Sequence, residues 1–240
     1  MRASSATSSA VLVALVTAPL APTVAQAHIS VVSGPGYANS TQEISFGVGH
    51  GCAGSDTYSV KIDIPVGVTS VRAETNTFGK VTVQRDASLN VTSVTWQKAD
   101  ADVLPSDDNY YKLVLRLKVP NAPFTSVYFP THQTCRTAEG TLLPVVDWVA
   151  TTPTMSEDAG AQAEPAPVLL ILPAHQPGWN KLTLPAAVPD LSVVFADAQI
   201  VWKGTAAYSP NTATLDQIKT TAGFSVLGAL AAGDEIWVKY

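Results

Sequence analysis

Apolar and polar residues alternate in short runs along most of this chain. Thr57-Tyr58-Ser59-Val60-Lys61-Ile62-Asp63-Ile64 has a period of two and stops at Pro65, so one face of a strand is buried and the other is wet. Residues 80–84 and 93–96 repeat the pattern on either side of a polar turn at 86–90. Residues 111–119 alternate throughout and end at Pro120-Asn121-Ala122-Pro123, where two prolines fix φ and remove backbone donors. Residues 127–129 and 142–148 predict further strands, and no helical period runs before residue 150. Short strands separated by polar turns predict an all-β fold, an immunoglobulin-like β-sandwich with antiparallel neighbours.

The pattern changes after residue 150. Residues 151–167 are polar, then rich in Ala and Pro, which reads as a loop or linker. An apolar run at 168–172 and a segment at 179–184 read as strands, 191–203 as one or two more, and 234–240 as a last one. Residues 210–221 predict the one short helix, with Ser209 as N-cap, Pro210 as first residue, Gly223 past the end, and Leu215 and Ile218 facing the core. Residues 168–240 therefore form a C-terminal β-rich extension of the sandwich or a small second lobe.

The N-terminal segment differs from both. Arg2 precedes the apolar run Val11-Leu12-Val13-Ala14-Leu15-Val16, and Ala25-Gln26-Ala27 is a small-x-small cleavage signature. Residues 1–27 are read as a signal peptide, with cleavage after Ala27 and a periplasmic or secreted product. The other apolar runs are too short to span a bilayer, so no membrane span is expected in the mature chain. Net charge is −5 with the basic residues scattered singly, which argues against nucleic acid as a partner. Only Cys52 and Cys135 occur, and export favours one disulfide between them.

Cleavage after Ala27 makes His28 the first residue. An N-terminal histidine presents an α-amine and an imidazole, two nitrogens that suit a tetragonal Cu(II) ion. A second imidazole, if used, must come from His50, His132 or His175, and a carboxylate is the other ligand class. His50-x-Cys52 and His132-x-x-Cys135 also offer two His and two Cys for tetrahedral zinc, against the simpler reading of a disulfide with two loop histidines.

Several segments carry a resemblance. His28-Ile29-Ser30-Val31-Val32, Ala38-Asn39-Ser40-Thr41-Gln42-Glu43-Ile44-Ser45-Phe46, Val60-Lys61-Ile62-Asp63-Ile64-Pro65-Val66-Gly67-Val68 and Leu142-Leu143-Pro144-Val145-Val146-Asp147-Trp148 resemble the YcnI-like family of secreted copper-binding domains over about residues 28–150. His50-Gly51-Cys52 and Gln133-Thr134-Cys135 resemble a cysteine-bearing branch of it. The resemblance implies a monohistidine brace: His28 gives amine and imidazole, Glu43 ligates, and Trp148 lies against the copper. Asp147 stands where relatives often carry Glu and is the candidate for a supporting role behind the ligands. The chain departs from the family at Asn76-Thr77-Phe78-Gly79-Lys80, where relatives place Pro-Gly-Trp.

Each residue also has a plainer reading. Glu43 fits an exposed strand position, Trp148 fits ordinary sandwich core, and Asp147 fits a solvated or turn-bonded carboxylate. The resemblance implies a non-enzymatic protein for copper capture, storage or delivery, binding Cu(II) and, through the indole, Cu(I), with a membrane or periplasmic copper-handling protein as partner. The alternatives are an oxidative copper enzyme with a two-histidine brace and a metal-free partner-binding sandwich. Hydrolase chemistry is disfavoured because Gly-x-Ser-x-Gly is absent. Gly47-Val48-Gly49-His50-Gly51 is not a dinucleotide fingerprint, since no strand–turn–helix unit follows.

Overall fold

Alternation in the sequence becomes strands with one buried face. A computed structural model describes residues 28–151 and 164–240. The expected signal peptide lies outside the described residues, as does most of the expected linker. The chain forms β1 (Ile29–Val31), β2 (Gly36–Tyr37), β3 (Thr41–Val48), β4 (Asp56–Asp63), β5 (Thr69–Ala73), β6 (Lys80–Arg85), β7 (Val91–Gln97), β8 (Tyr111–Lys118), β9 (Ser126–Tyr128), β10 (Thr131–Arg136), β11 (Val146–Ala150), β12 (Glu164–Pro165) and β13 (Val168–Leu172). It continues through β14 (Trp179–Thr183), α1 (Leu191–Val194), β15 (Ile200–Lys203), β16 (Ala206–Tyr208), α2 (Thr212–Thr220), β17 (Ser225–Val226) and β18 (Glu235–Lys239).

The fold is mostly β, and its first part is the two-sheet sandwich that the alternation predicts. One sheet has the order β1-β3-β8-β5 and the facing sheet β12-β11-β10-β4-β7-β6. Ile44, Phe46 and Val48 of β3 and Leu113, Leu115 and Leu117 of β8 point inward onto Val60, Ile62, Trp96 and Phe129. Phe46 and Phe129 meet edge to face at 5.2 Å. Neighbours are mostly antiparallel, but β11–β12, β2–β13 and β16–β17 are parallel.

Strand β13 has both faces covered. Leu169 and Ile171 enter the first core, while Leu172 is buried in a second core and Leu170 packs against it. That explains why residues 168–172 read as a continuous apolar run rather than an alternating one. The second core lies under the sheet β14-β18-β15-β16-β17, with Leu184, Phe195, Val201, Ile236 and Val238 at its centre. Tyr37 Oη donates to Asp197 Oδ2 at 2.7 Å and ties the first sandwich to this second lobe.

Three local expectations are corrected. Residues 191–194 form helix α1 rather than strand, because the Asp190 carboxylate accepts from the Ser192 amide and caps the turn. The N-cap of α2 is Asn211, whose side chain accepts from the Ala213 and Thr214 amides. Ser209 instead donates its hydroxyl to the Gln199 carbonyl. Strand β11 begins at Val146, since Pro144 has no amide to pair and Leu142 makes only an isolated bridge to Arg136.

A buried ion pair lies in the first sandwich. Asp56 and Lys98 pair with side chains almost fully enclosed. The Tyr111 hydroxyl donates to Asp56 at 2.7 Å, and the Leu104 amide donates to it at 2.8 Å. Lys98 Nζ also sits 4.3 Å from the Tyr111 ring centroid. These contacts supply the partners that buried charges require.

Candidate metal site at the sandwich end

Residue His28 is placed by the strand that follows it. Ile29 is buried in the first core and pairs with Val48, so β1 anchors His28 against the end of β3. The His28 imidazole is exposed, and its ring centroid lies 5.5 Å from the Trp148 ring, tilted by 51°. Trp148 is buried, and its Nε1 donates to Gln133 Oε1 at 3.3 Å. Gln133 Nε2 donates to the Thr57 hydroxyl and to the His50 carbonyl, each at 2.9 Å. This chain of hydrogen bonds fixes the indole plane and satisfies a fully buried amide. In the sequence Gln133 stands out only as a neighbour of Cys135, and nothing there gives its amide a role.

The structure does not bring Glu43 to His28. Ile29 pairs with Val48, and Glu43 lies five residues further along β3, about 17 Å at the usual rise per residue. Its side chain is exposed on the outward face, opposite Arg116 of β8. Shared coordination of one ion is out of reach at that separation. Asp147 is also displaced. Neighbouring residues on a strand face opposite sides, so Trp148 points inward and Asp147 outward. Asp147 Oδ1 lies 2.6 Å from His132 Nδ1, and Asp63 Oδ2 lies 3.1 Å from His132 Nε2. Burial pushes the Asp63 carboxyl up, but hydrogen bonds from Lys61 and His132 outweigh it and hold it below the ordinary value.

One carboxylate residue pairs in register with Trp148. Glu164 of β12 is its register partner in the parallel pair β11–β12. Paired residues share a face of the sheet, so half-buried Glu164 lies on the Trp148 side of β12. It falls in a stretch that reads as linker, and only the strand pairing reveals it.

The other histidines part company. His132 is held between two carboxylates on the outer face. His175 belongs to the second lobe, stacked on Tyr240 at 3.6 Å. His50 follows β3 directly, at the same end of the sandwich as His28, with Nδ1 2.6 Å from the Gly51 carbonyl. Cys52 and Cys135 form the expected disulfide, which removes both thiolates and with them the two-His, two-Cys zinc reading. A Cβ at Gly51 would lie 1.8 Å from the Ser55 carbonyl, so only glycine fits the tight turn that presents Cys52. Among the described residues no group of three or more His, Cys, Asp or Glu side chains is placed to hold a metal.

Among the described residues no helix is long and apolar enough to cross a membrane. A family model described as Domain of unknown function (DUF1775) matches residues 28–171. That span takes in β13, which fills the first core. A crystal structure of an uncharacterized protein from Nocardia farcinica, described as revealing an immunoglobulin-like fold, is similar at 23% identity. It covers 60% of this chain and 98% of its own, with a TM-score of 0.47. No curated protein matches the chain.

Proposed function

The chain belongs to the DUF1775 family, the YcnI-like domain, and from that membership we propose that it is an exported copper-binding protein. In this reading it captures, stores or delivers copper and is not an enzyme. His28, freed by cleavage after Ala27, binds Cu(II) through its amine and imidazole. Glu164 supplies the carboxylate in place of Glu43. Trp148 covers one side of the ion and offers a soft π face to Cu(I). A membrane or periplasmic copper-handling protein is the partner that receives or supplies the ion.

The observation that carries this reading is the 5.5 Å approach of the His28 and Trp148 rings. Two nitrogens and one carboxylate match the tetragonal preference of Cu(II). The α-amine has an ordinary pKa of roughly 7.7–8, so the ion competes with a proton there and binding weakens as pH falls. An oxidative two-histidine site would need His50, the one other histidine at this end of the sandwich.

The test is a Cu(II) titration of protein beginning at His28 against protein extended by one glycine. The His28 form is expected to bind one equivalent and quench tryptophan emission. The extended form loses most of that affinity. Equal affinity in the two forms rejects the brace. Loss of binding in His50→Ala would favour the two-histidine alternative.

A further inference from the structure

A bulge in the first sandwich sets two arginines side by side. Strands β5 and β8 pair Thr69 with Lys118 and Arg72 with Arg116, so β5 advances three residues while β8 advances two. Without the extra residue Val71 would stand opposite Arg116; with it Val71 is buried and Arg72 takes that place. Like charges directly opposite on neighbouring strands weaken a sheet. Ser70, inside the bulge, has φ of 55°, a left-handed conformation that costs a non-glycine residue energy. Leu89, in the turn between β6 and β7, has φ of 64°, and its carbonyl accepts from Arg85 Nη1 at 2.9 Å, which steadies a third guanidinium. Arg72, Arg85, Arg116, Ser70 and Leu89 all line one groove of about 500 Å³.

The charge of this groove is unmatched. The protein carries a net charge of −5, yet Arg72, Arg85 and Arg116 converge here, and the other described arginine, Arg136, is paired with Asp100. The ion pairs among the described residues include none of the three. Lys118, two residues from Arg116, adds a further cation to the face. Against them stand Glu43, the register partner of Arg116 on β3, and Glu74, two residues beyond Arg72; neither forms an ion pair with them. The Asp86 carboxylate is taken up by the Ser88 and Asn90 amides. A neutral ligand would leave the two opposed arginines repelling, whereas an anion between them offsets the repulsion that the bulge creates. Each guanidinium is a planar fork that grips two oxygens. A carboxylate has oxygens for one fork, while a phosphate group offers three and close to two negative charges. The groove is concave rather than flat and larger than one oxyanion, which suits a small organic phosphate rather than a protein face. We propose that it binds a phosphomonoester, with Arg72, Arg85 and Arg116 on the phosphate. It lies at the Thr41 end of β3, whereas His28 adjoins the Val48 end.

The test titrates the full chain, free of copper, with glycerol 3-phosphate in a calorimeter, and with glycerate as the carboxylate counterpart. Saturable binding of glycerol 3-phosphate is expected, with glycerate about tenfold weaker or more. Arg72→Gln and Arg116→Gln should each weaken the phosphate about tenfold or more. Both side chains are exposed, and removing one of two opposed charges should leave the ligand-free melting temperature unchanged or raised, which separates lost binding from lost folding. Arg116→Lys keeps the charge but not the fork and should weaken binding as well. Sedimentation with vesicles containing phosphatidic acid distinguishes the sources of the phosphate: vesicle binding that the same variants abolish would assign it to a lipid headgroup. Binding of neither glycerol 3-phosphate nor these vesicles by folded protein overturns the proposal. So does affinity unchanged in the Arg72→Gln, Arg116→Gln double variant, or glycerate bound as tightly as the phosphate.

Discussion

Glu164 and Trp148 are register partners on parallel strands β12 and β11, and the indole of that pair stands beside His28. The pairing places one carboxylate at the end of the sandwich where the chain presents its histidine. Glu164→Gln is expected to lower Cu(II) affinity about tenfold or more, because a neutral amide is a poorer ligand than a carboxylate. Glu43→Gln should leave it unchanged. Competition titration of both variants checks this, and the reverse ranking would remove Glu164 from the site.

The orientation of Trp148 depends on Gln133. Replacing Gln133 with Leu leaves the indole N–H and the His50 carbonyl without their buried partner. Each unsatisfied group costs about 1–3 kcal/mol. Urea unfolding should show a stability loss of that order, and the copper-induced quenching of Trp148 should weaken with it.

Lys98→Met strands a charge. Asp56 is fully buried and would keep only its Tyr111 and Leu104 donors. Removing one member of a buried pair costs about 3–5 kcal/mol. The double change Asp56→Leu, Lys98→Met should cost less than the single one, which a double-mutant cycle by chemical denaturation measures.

The disulfide closes a loop with a sequence separation of 83. Chain entropy sets its contribution at about 4–5 kcal/mol as an upper figure. The Cys52→Ala, Cys135→Ala variant should therefore melt well below the parent in a thermal scan. A melting point unmoved by the change, or by reductant, would contradict the role.

Stability should fall at both ends of the pH range. Burial and the hydrogen bond to Asp197 push the Tyr37 hydroxyl up to about 12. Its contribution is full below pH 10, the ordinary value, and is lost as pH rises toward the folded value. Tyr37→Phe should flatten that alkaline loss. Asp63 is held below its ordinary 3.8, so its contribution is present above about pH 4 and disappears as pH falls through the lowered value. Asp63→Asn should remove that part of the acid slope. Urea unfolding at stepped pH values measures both.

Much of the first sandwich was legible because a half-buried strand must alternate. Residues 57–64 and 111–119 declare β4 and β8 within a residue or two, and export chemistry argued for the Cys52–Cys135 bond. The helix α1 was not legible, because Leu191-Ser192-Val193-Val194 has strand-like composition and only the Asp190 cap decides otherwise. Glu43 looked like a ligand because the family resemblance implies one there, while antiparallel pairing of β1 with β3 carries it away from the His28 end.

Local pattern alone settles which residues prefer a pleated, one-sided surface, since periodicity and turn chemistry act between near neighbours in the chain. Which side chains then meet depends on register and on sheets folding over one another, and those are contacts between distant segments. So the alternation determined the class of fold, the cleavage signature offered His28, and the family resemblance offered Trp148. Tertiary pairing alone put the indole beside the histidine, set Glu164 next to it, turned Asp147 toward His132, and gave β13 to two cores at once.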